Sequence, residues 1–216
     1  MKKQILAVLF ILPLFLHGQN KWEINVAGYQ NYVINPVIRD NNRGVLGGML
    51  GGHYHLHIKK KIFFVTGLEF LQFGYQRKGD FSQLPSENVN GQYVRDPLLD
   101  DEFKDQRYFF QIPFELRVQF PQKKVAPFIQ GGMIQSFLLG YRSKSKFAGR
   151  ETKTSKLTPF DQNALGARLS FGFGVPLSNH TSLTIAAFAY SGIQYFDNQF
   201  KYRAFGLNLG YLFGRS

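Results

Sequence analysis

Tyr108-Phe-Phe-Gln-Ile-Pro-Phe-Glu-Leu-Arg-Val-Gln-Phe120 separates into two faces when it is read at every second residue. One face is Tyr108, Phe110, Ile112, Phe114, Leu116, Val118 and Phe120; the other is Phe109, Gln111, Pro113, Glu115, Arg117 and Gln119. Side chains alternate across a strand, so period two over this length, with one wholly apolar face, predicts β structure. The stretch exceeds the roughly five or six residues usual in globular sheets and matches the roughly 9–11 needed to cross a bilayer at a tilt. Pro113 cannot donate to a ladder, and a bulge or local kink is expected to absorb it.

Two further stretches decide which face is outside. From Ala164 to Val175, Leu165, Ala167, Leu169, Phe171, Phe173 and Val175 oppose Ala164, Gly166, Arg168, Ser170, Gly172 and Gly174. Near the end of the chain, Phe205, Leu207, Leu209, Tyr211 and Phe213 oppose Ala204, Gly206, Asn208 and Gly210. A sheet face in water normally carries Lys, Glu and Thr. Small residues with isolated polar groups suit instead the cramped interior of a narrow barrel, which sets the large apolar residues against lipid.

Five more strands are expected at about 21–31, 44–58, 62–76, 126–140 and 181–195, making eight in all. The connections alternate in length. Short turns fall at Lys59-Lys60-Lys61, Pro121 to Lys124 and Pro176 to His180, and longer loops at roughly 32–43, 77–106, 141–163 and 196–202. Such alternation is the habit of outer-membrane barrels, whose short turns face the periplasm. The expected fold is therefore an eight-stranded antiparallel transmembrane β-barrel with both ends of the chain on the periplasmic side. A soluble lipocalin-like barrel is the competing fold.

Lys2-Lys3 followed by an apolar run from Ile5 to Leu16 reads as a secretory signal peptide over 1–18. That run is shorter than the roughly 20 residues of a spanning helix, and no later stretch supplies one. The barrel domain is then 19–216. Composition agrees: 23 Phe, 11 Tyr and 22 Gly favour β structure, and the absence of Cys leaves no site for an N-terminal lipid anchor. The net charge of +12 would raise the question of nucleic acid in a cytoplasmic protein. Export removes that partner, and lipopolysaccharide phosphates or anionic headgroups become the natural counter-charge.

The run Tyr108–Phe120, the segment Ala126-Pro-Phe-Ile-Gln-Gly-Gly-Met133 and the closing Phe205-Gly-Leu-Asn-Leu-Gly-Tyr-Leu-Phe-Gly214 together resemble the PorT-like outer-membrane β-barrel family of Bacteroidota. The resemblance implies fold and outer-membrane location, and it points to a role in an envelope complex such as type IX secretion. It carries no functional residue across.

Several side-chain groups bear chemistry. His53, His55 and His57 share one strand face at a spacing able to ligate zinc or copper, although the same residues also serve as an ordinary polar lumen face. Glu69, Glu115, Arg117 and Arg168 are expected to form a buried ionic network bridging neighbouring strands, because a lone charge in so narrow an interior costs several kcal/mol. Asp96, Asp100, Asp101, Glu102 and Asp105 form an acidic cluster without the spacing of a calcium loop. It is expected to pair with the basic stretch Arg142, Lys144, Lys146, Arg150, Lys153 and Lys156 or simply to stay solvated.

No cofactor is called for. Outer-membrane proteases and lipid-modifying enzymes need a histidine beside a serine or carboxylate at the outer rim, and no histidine falls in an outer loop. The expected function is thus non-enzymatic: an accessory or structural component of an envelope complex, or a stand-alone structural or ligand-binding barrel.

Overall fold

The computed structural model describes residues 20–34, 42–80, 88–89, 92–93, 100–120, 124–147, 150–157, 163–194 and 201–214. The expected leader at 1–18 and Asp96 lie outside them. In chain order the strands are β1 (Lys21–Ile34), β2 (Asn42–Lys59), β3 (Ile62–Asp80), β4 (Asn88–Val89), β5 (Gln92–Tyr93), β6 (Asp100–Gln119), β7 (Ala126–Phe147), β8 (Arg150–Leu157), β9 (Asn163–Pro176), β10 (Thr181–Gln194) and β11 (Lys201–Gly214).

Eight of these close on themselves in the order β6-β3-β2-β1-β11-β10-β9-β7, with β7 returning to β6. Every pairing is antiparallel. Closure leaves the barrel wall without a free edge, as a spanning sheet requires. Lys21 pairs with Gly214, so both ends of the described chain lie at the end of the short turns. Lys60, at φ 34°, closes the tight turn between β2 and β3.

The outer wall is apolar. Trp22, Ile24, Val26, Leu50, Phe70, Leu116, Leu169, Phe171, Phe173, Leu207 and Leu209 are all exposed and point away from the lumen. Water would penalise such a belt at roughly 25 cal/mol per Å², so hydrocarbon is the solvent that this surface fits. Lengthwise parity reads correctly in each of the three stretches that decided the fold.

Three sequence expectations change. The segments 77–106 and 141–163 are not wholly loop: β3 runs on to Asp80, β6 begins at Asp100, β7 reaches Phe147, and β8 pairs back along β7 from Gly140↔Leu157 to Phe147↔Arg150. Hydrogen bonding continues there after the apolar alternation stops, because that end of the sheet no longer faces hydrocarbon. Pro113 needs no bulge. It stays in register with Ile134 of β7, and on the β3 side pairing lapses between Thr66↔Phe114 and Glu69↔Gln111 without a shift; the shift in this region falls between Tyr108 and Phe109. Finally, the interior is not made of small residues alone. Tyr29, Phe73, Phe109, Phe188, Tyr190 and Tyr202 fill it towards the long-loop end, with Phe73 stacked on Tyr190 and Tyr202 at 5.3 and 5.2 Å.

A charge on the outer wall should therefore cost far more than one on the water-exposed ribbon. Phe171→Arg is expected to destabilise the barrel by roughly 2–4 kcal/mol, whereas Lys153→Gln should stay within about 0.5 kcal/mol. Reversible denaturant unfolding in phospholipid vesicles measures both.

Candidate functional site in the barrel lumen

Below the aromatic layer, towards the short-turn end, the lumen is ionic. Arg168 on β9 is its centre. Nε and the NH2 nitrogen donate to the two oxygens of Glu115 at 2.9 and 2.8 Å, and the NH1 nitrogen donates to Glu69 at 3.1 Å. Gln130 donates a further bond to Glu115 at 2.7 Å. Paired guanidinium–carboxylate forks of this kind are the strongest hydrogen bonds available to side chains, and here every partner is buried.

Local sequence makes this reach possible. Glu115, Gly132 and Arg168 lie side by side on β6, β7 and β9. A Cβ at Gly132 would stand 2.2 Å from the Phe114 carbonyl oxygen and 2.6 Å from the Glu115 Cα. With no side chain between them, Arg168 and Glu115 meet across an intervening strand. Gly210 plays the same part for Glu23, whose carboxylate oxygen occupies the position 2.1 Å from where a Cβ would be, hydrogen-bonded to Thr184.

A second group is built on Glu23. His55 Nε2 lies 2.7 Å from Glu23 Oε2, and the Arg117 NH1 nitrogen lies 3.4 Å from the same oxygen. His53 Nε2 lies 2.7 Å from Glu69 Oε1, which links this group to Arg168. Asn25 Nδ2 reaches the His53 ring at 3.0 Å. The Arg117 guanidinium sits 3.5 Å over the Phe128 ring, and its Nε and NH2 nitrogens have no partner. A cavity of about 10 Å³ beside Glu23, His53, Arg117 and Arg168 has room for roughly one water.

Glu69, Glu115, Arg117 and Arg168 are thus all brought into the lumen, but they do not bridge neighbouring strands. Arg168 reaches Glu69 across the interior, from β9 to β3. Among the three histidines, His53 and His55 converge and His57 does not; its ring packs on Phe63 at 5.2 Å. Glu23 takes the third place, its donor atom and those of His53 and His55 lying within 4.8 Å of one another. Parity on β1 could have found Glu23, since Trp22, Ile24 and Val26 face outwards around it; the pairing of Glu23 with His53 depends on strand register.

Of the acidic cluster only Glu102 and Asp105 have described side chains; Glu102 stands in register with Lys146 of the basic stretch, and the contacts of both go to other groups. Asp105 is occupied by Arg107 Nε and Ser143 Oγ, each at 2.8 Å, and Glu102 by Gln76. Lys144 and Lys153 pair instead with Glu151 at 2.9 Å each.

Removing Arg168 leaves two buried carboxylates facing each other, and breaking a buried pair costs about 3–5 kcal/mol. Arg168→Met should therefore lower the unfolding free energy by about that amount, against under about 1 kcal/mol for His57→Ala. Denaturant titration in detergent micelles, followed by heat-modifiable gel migration, checks both values.

Solved structures of similar shape include the attachment invasion locus protein Ail of Yersinia pestis (13% identity, TM-score 0.41, covering 91% of this chain and 100% of that one). Neisserial surface protein A is another (11%, 0.46, 89% and 96%), as is the outer membrane protease OmpT of Escherichia coli (7%, 0.43, 90% and 96%). No curated protein matches the sequence. The family model described as outer membrane protein beta-barrel domain matches residues 19–214. With that match, an outward apolar belt and a closed sheet of eight strands, the chain belongs to the outer membrane protein beta-barrel domain family.

Proposed function

We propose that this barrel is a non-enzymatic component of an outer-membrane complex that acts through its water-exposed strand ribbon and its outer wall. The observation that supports this most directly is the filled lumen. Aromatic rings occupy one half and the Arg168 network the other, and the cavity beside that network holds about one water. Among the described residues these layers fill the bore, which agrees with the narrow interior of an eight-stranded barrel.

The same packing speaks against catalysis. His53–Glu69 and His55–Glu23 are the kind of pair that acid–base chemistry uses, yet all four side chains are buried in the lumen. A substrate bound at the outer rim would not meet them. By resemblance to the PorT-like barrels of Bacteroidota, the complex is a secretion machine of the type IX kind, with the short turns in the periplasm.

A second reading rests on a separate observation. On the long-loop ribbon, Arg142, Lys144, Lys146, Lys153 and Lys156 outnumber the single acid Glu151 of β7 and β8. Lys153 and Lys144 hold the Glu151 carboxyl below the usual carboxylate range at the exposed ribbon surface. This surface suits lipopolysaccharide phosphates, the ligand of a stand-alone barrel.

Affinity purification of the tagged barrel from gently solubilised outer membranes distinguishes the two. One protein recovered in fixed stoichiometry is expected. A monomer carrying only lipopolysaccharide overturns the complex in favour of the stand-alone reading. In planar bilayers the purified barrel should give no stepwise conductance, and regular open-channel steps would refute the sealed lumen.

A further inference from the structure

The chemistry of Glu23, His53 and His55 goes beyond sealing the lumen. From it we propose that these three residues, with Asn25, bind one divalent transition-metal ion of the zinc class inside the barrel. Two imidazoles and a carboxylate are a donor set zinc accepts, at about 2.0–2.2 Å per bond. Around such an ion, donor atoms lie roughly 3.3 Å apart. Those of Glu23, His53 and His55 already lie within 4.8 Å, so side-chain rotations of about an ångström close the site.

The surroundings supply what a metal ligand ordinarily needs. A ligating histidine commonly gives its other ring N–H to a carboxylate, which fixes its tautomer and orientation. Glu69 does this for His53 at 2.7 Å and is itself held by Arg168 at 2.8 Å. With Nε2 committed to Glu69, Nδ1 is the ring nitrogen that His53 has left to offer an ion, and Asn25 Nδ2 lies beside the ring, 3.0 Å from Nδ1 and 3.2 Å from Nε2. The other end of that amide, Asn25 Oδ1, is buried without a partner. Turning the amide over would present this oxygen as a fourth ligand. The ion would take the place of the proton shared by His55 Nε2 and Glu23 Oε2, now 2.7 Å apart.

Charge points the same way. Glu23, Glu69 and Glu115 contribute −3 and Arg117 and Arg168 contribute +2, leaving −1 among these buried groups when both imidazoles are neutral. A divalent ion beside Glu23 takes that balance to +1, no larger in size than the deficit it replaces. Arg117 is a like charge near it, 3.4 Å from the Glu23 carboxylate, and its guanidinium is also supported by the Phe128 ring. His57 takes no part, since it packs on Phe63. Because the donors are 1–4% exposed, the ion would be captured as the barrel closes.

The full-length mature barrel is refolded into detergent micelles with zinc chloride, dialysed against metal-free buffer and assayed for zinc by mass spectrometry. One equivalent per barrel is expected in the wild type and in His57→Ala. Glu23→Gln and His55→Ala should retain none, and Glu69→Gln should bind roughly 10–100-fold more weakly. Heat-modifiable migration shows which variants have folded. Wild-type barrel that retains no zinc overturns the proposal, as does a folded His55→Ala that retains as much as the wild type. Should the variants fail to fold, refolding the wild type with cobalt decides: intense visible bands of four-coordinate cobalt support the site, and the weak spectrum of six-coordinate cobalt overturns it.

Discussion

The bond system around Arg168 is what the interior of this barrel depends on. A guanidinium removed from water costs several kcal/mol unless its donors are matched, and the same holds for each carboxylate. Arg168 meets that condition by taking Glu115 with two nitrogens and Glu69 from across the lumen. Because β7 and β6 stand between β9 and β3 in the ring, the pair ties together strands that share no ladder. Its geometry presupposes the closed sheet, the register Glu115↔Gly132↔Arg168, and a missing side chain at Gly132. A slip of one residue in either ladder would send Arg168 or Glu115 to the hydrocarbon side.

The interior divides into two layers along the barrel axis. Near the short turns, polar groups share hydrogen bonds in a network that extends through Gln130, His53 and Thr184. Above it, Phe73 contacts Tyr29, Phe109, Tyr190 and Tyr202 in a continuous aromatic stack. The aromatic layer is held mainly by ring contacts, with the Tyr29 hydroxyl donating to the Gln72 and Gly48 carbonyls, while the ionic layer depends on hydrogen-bonded partners throughout. A lipocalin-like barrel would hold a ligand cavity behind an apolar inner face and a polar exterior; here the exterior carries Phe171, Leu207 and Phe205.

Period two made the faces legible and left the partners hidden. The alternation of Phe109, Glu115 and Arg117 with Phe114 and Leu116 placed the charged pair inside before any pairing was known. Glu23 was equally readable by parity, yet its contacts with His55 and Thr184 arise from strands brought together by closure across 32 and 161 residues of chain. His57 misled for the converse reason: it shares a face with His53 and His55, but near the end of the strand Phe63 covers it. Strand ends were hidden too. Once β6 and β7 leave the hydrocarbon, residues such as Lys104 and Lys144 pair in register with nothing apolar to mark them.

That last difference also locates what remains available to a partner. Within the wall, side chains are either committed to the lumen or spread over a nearly uniform apolar belt. On the ribbon, β8 pairs with β7 alone, which leaves its other edge without a strand partner among the described residues. Exposed edges invite copies of themselves, and charged side chains are a common guard against it. Lys153 and Lys156, both exposed, lie along that strand and supply such a guard. With Glu151 held between Lys144 and Lys153, the described charge of this ribbon is mostly positive, and none of it depends on an opening in the barrel below.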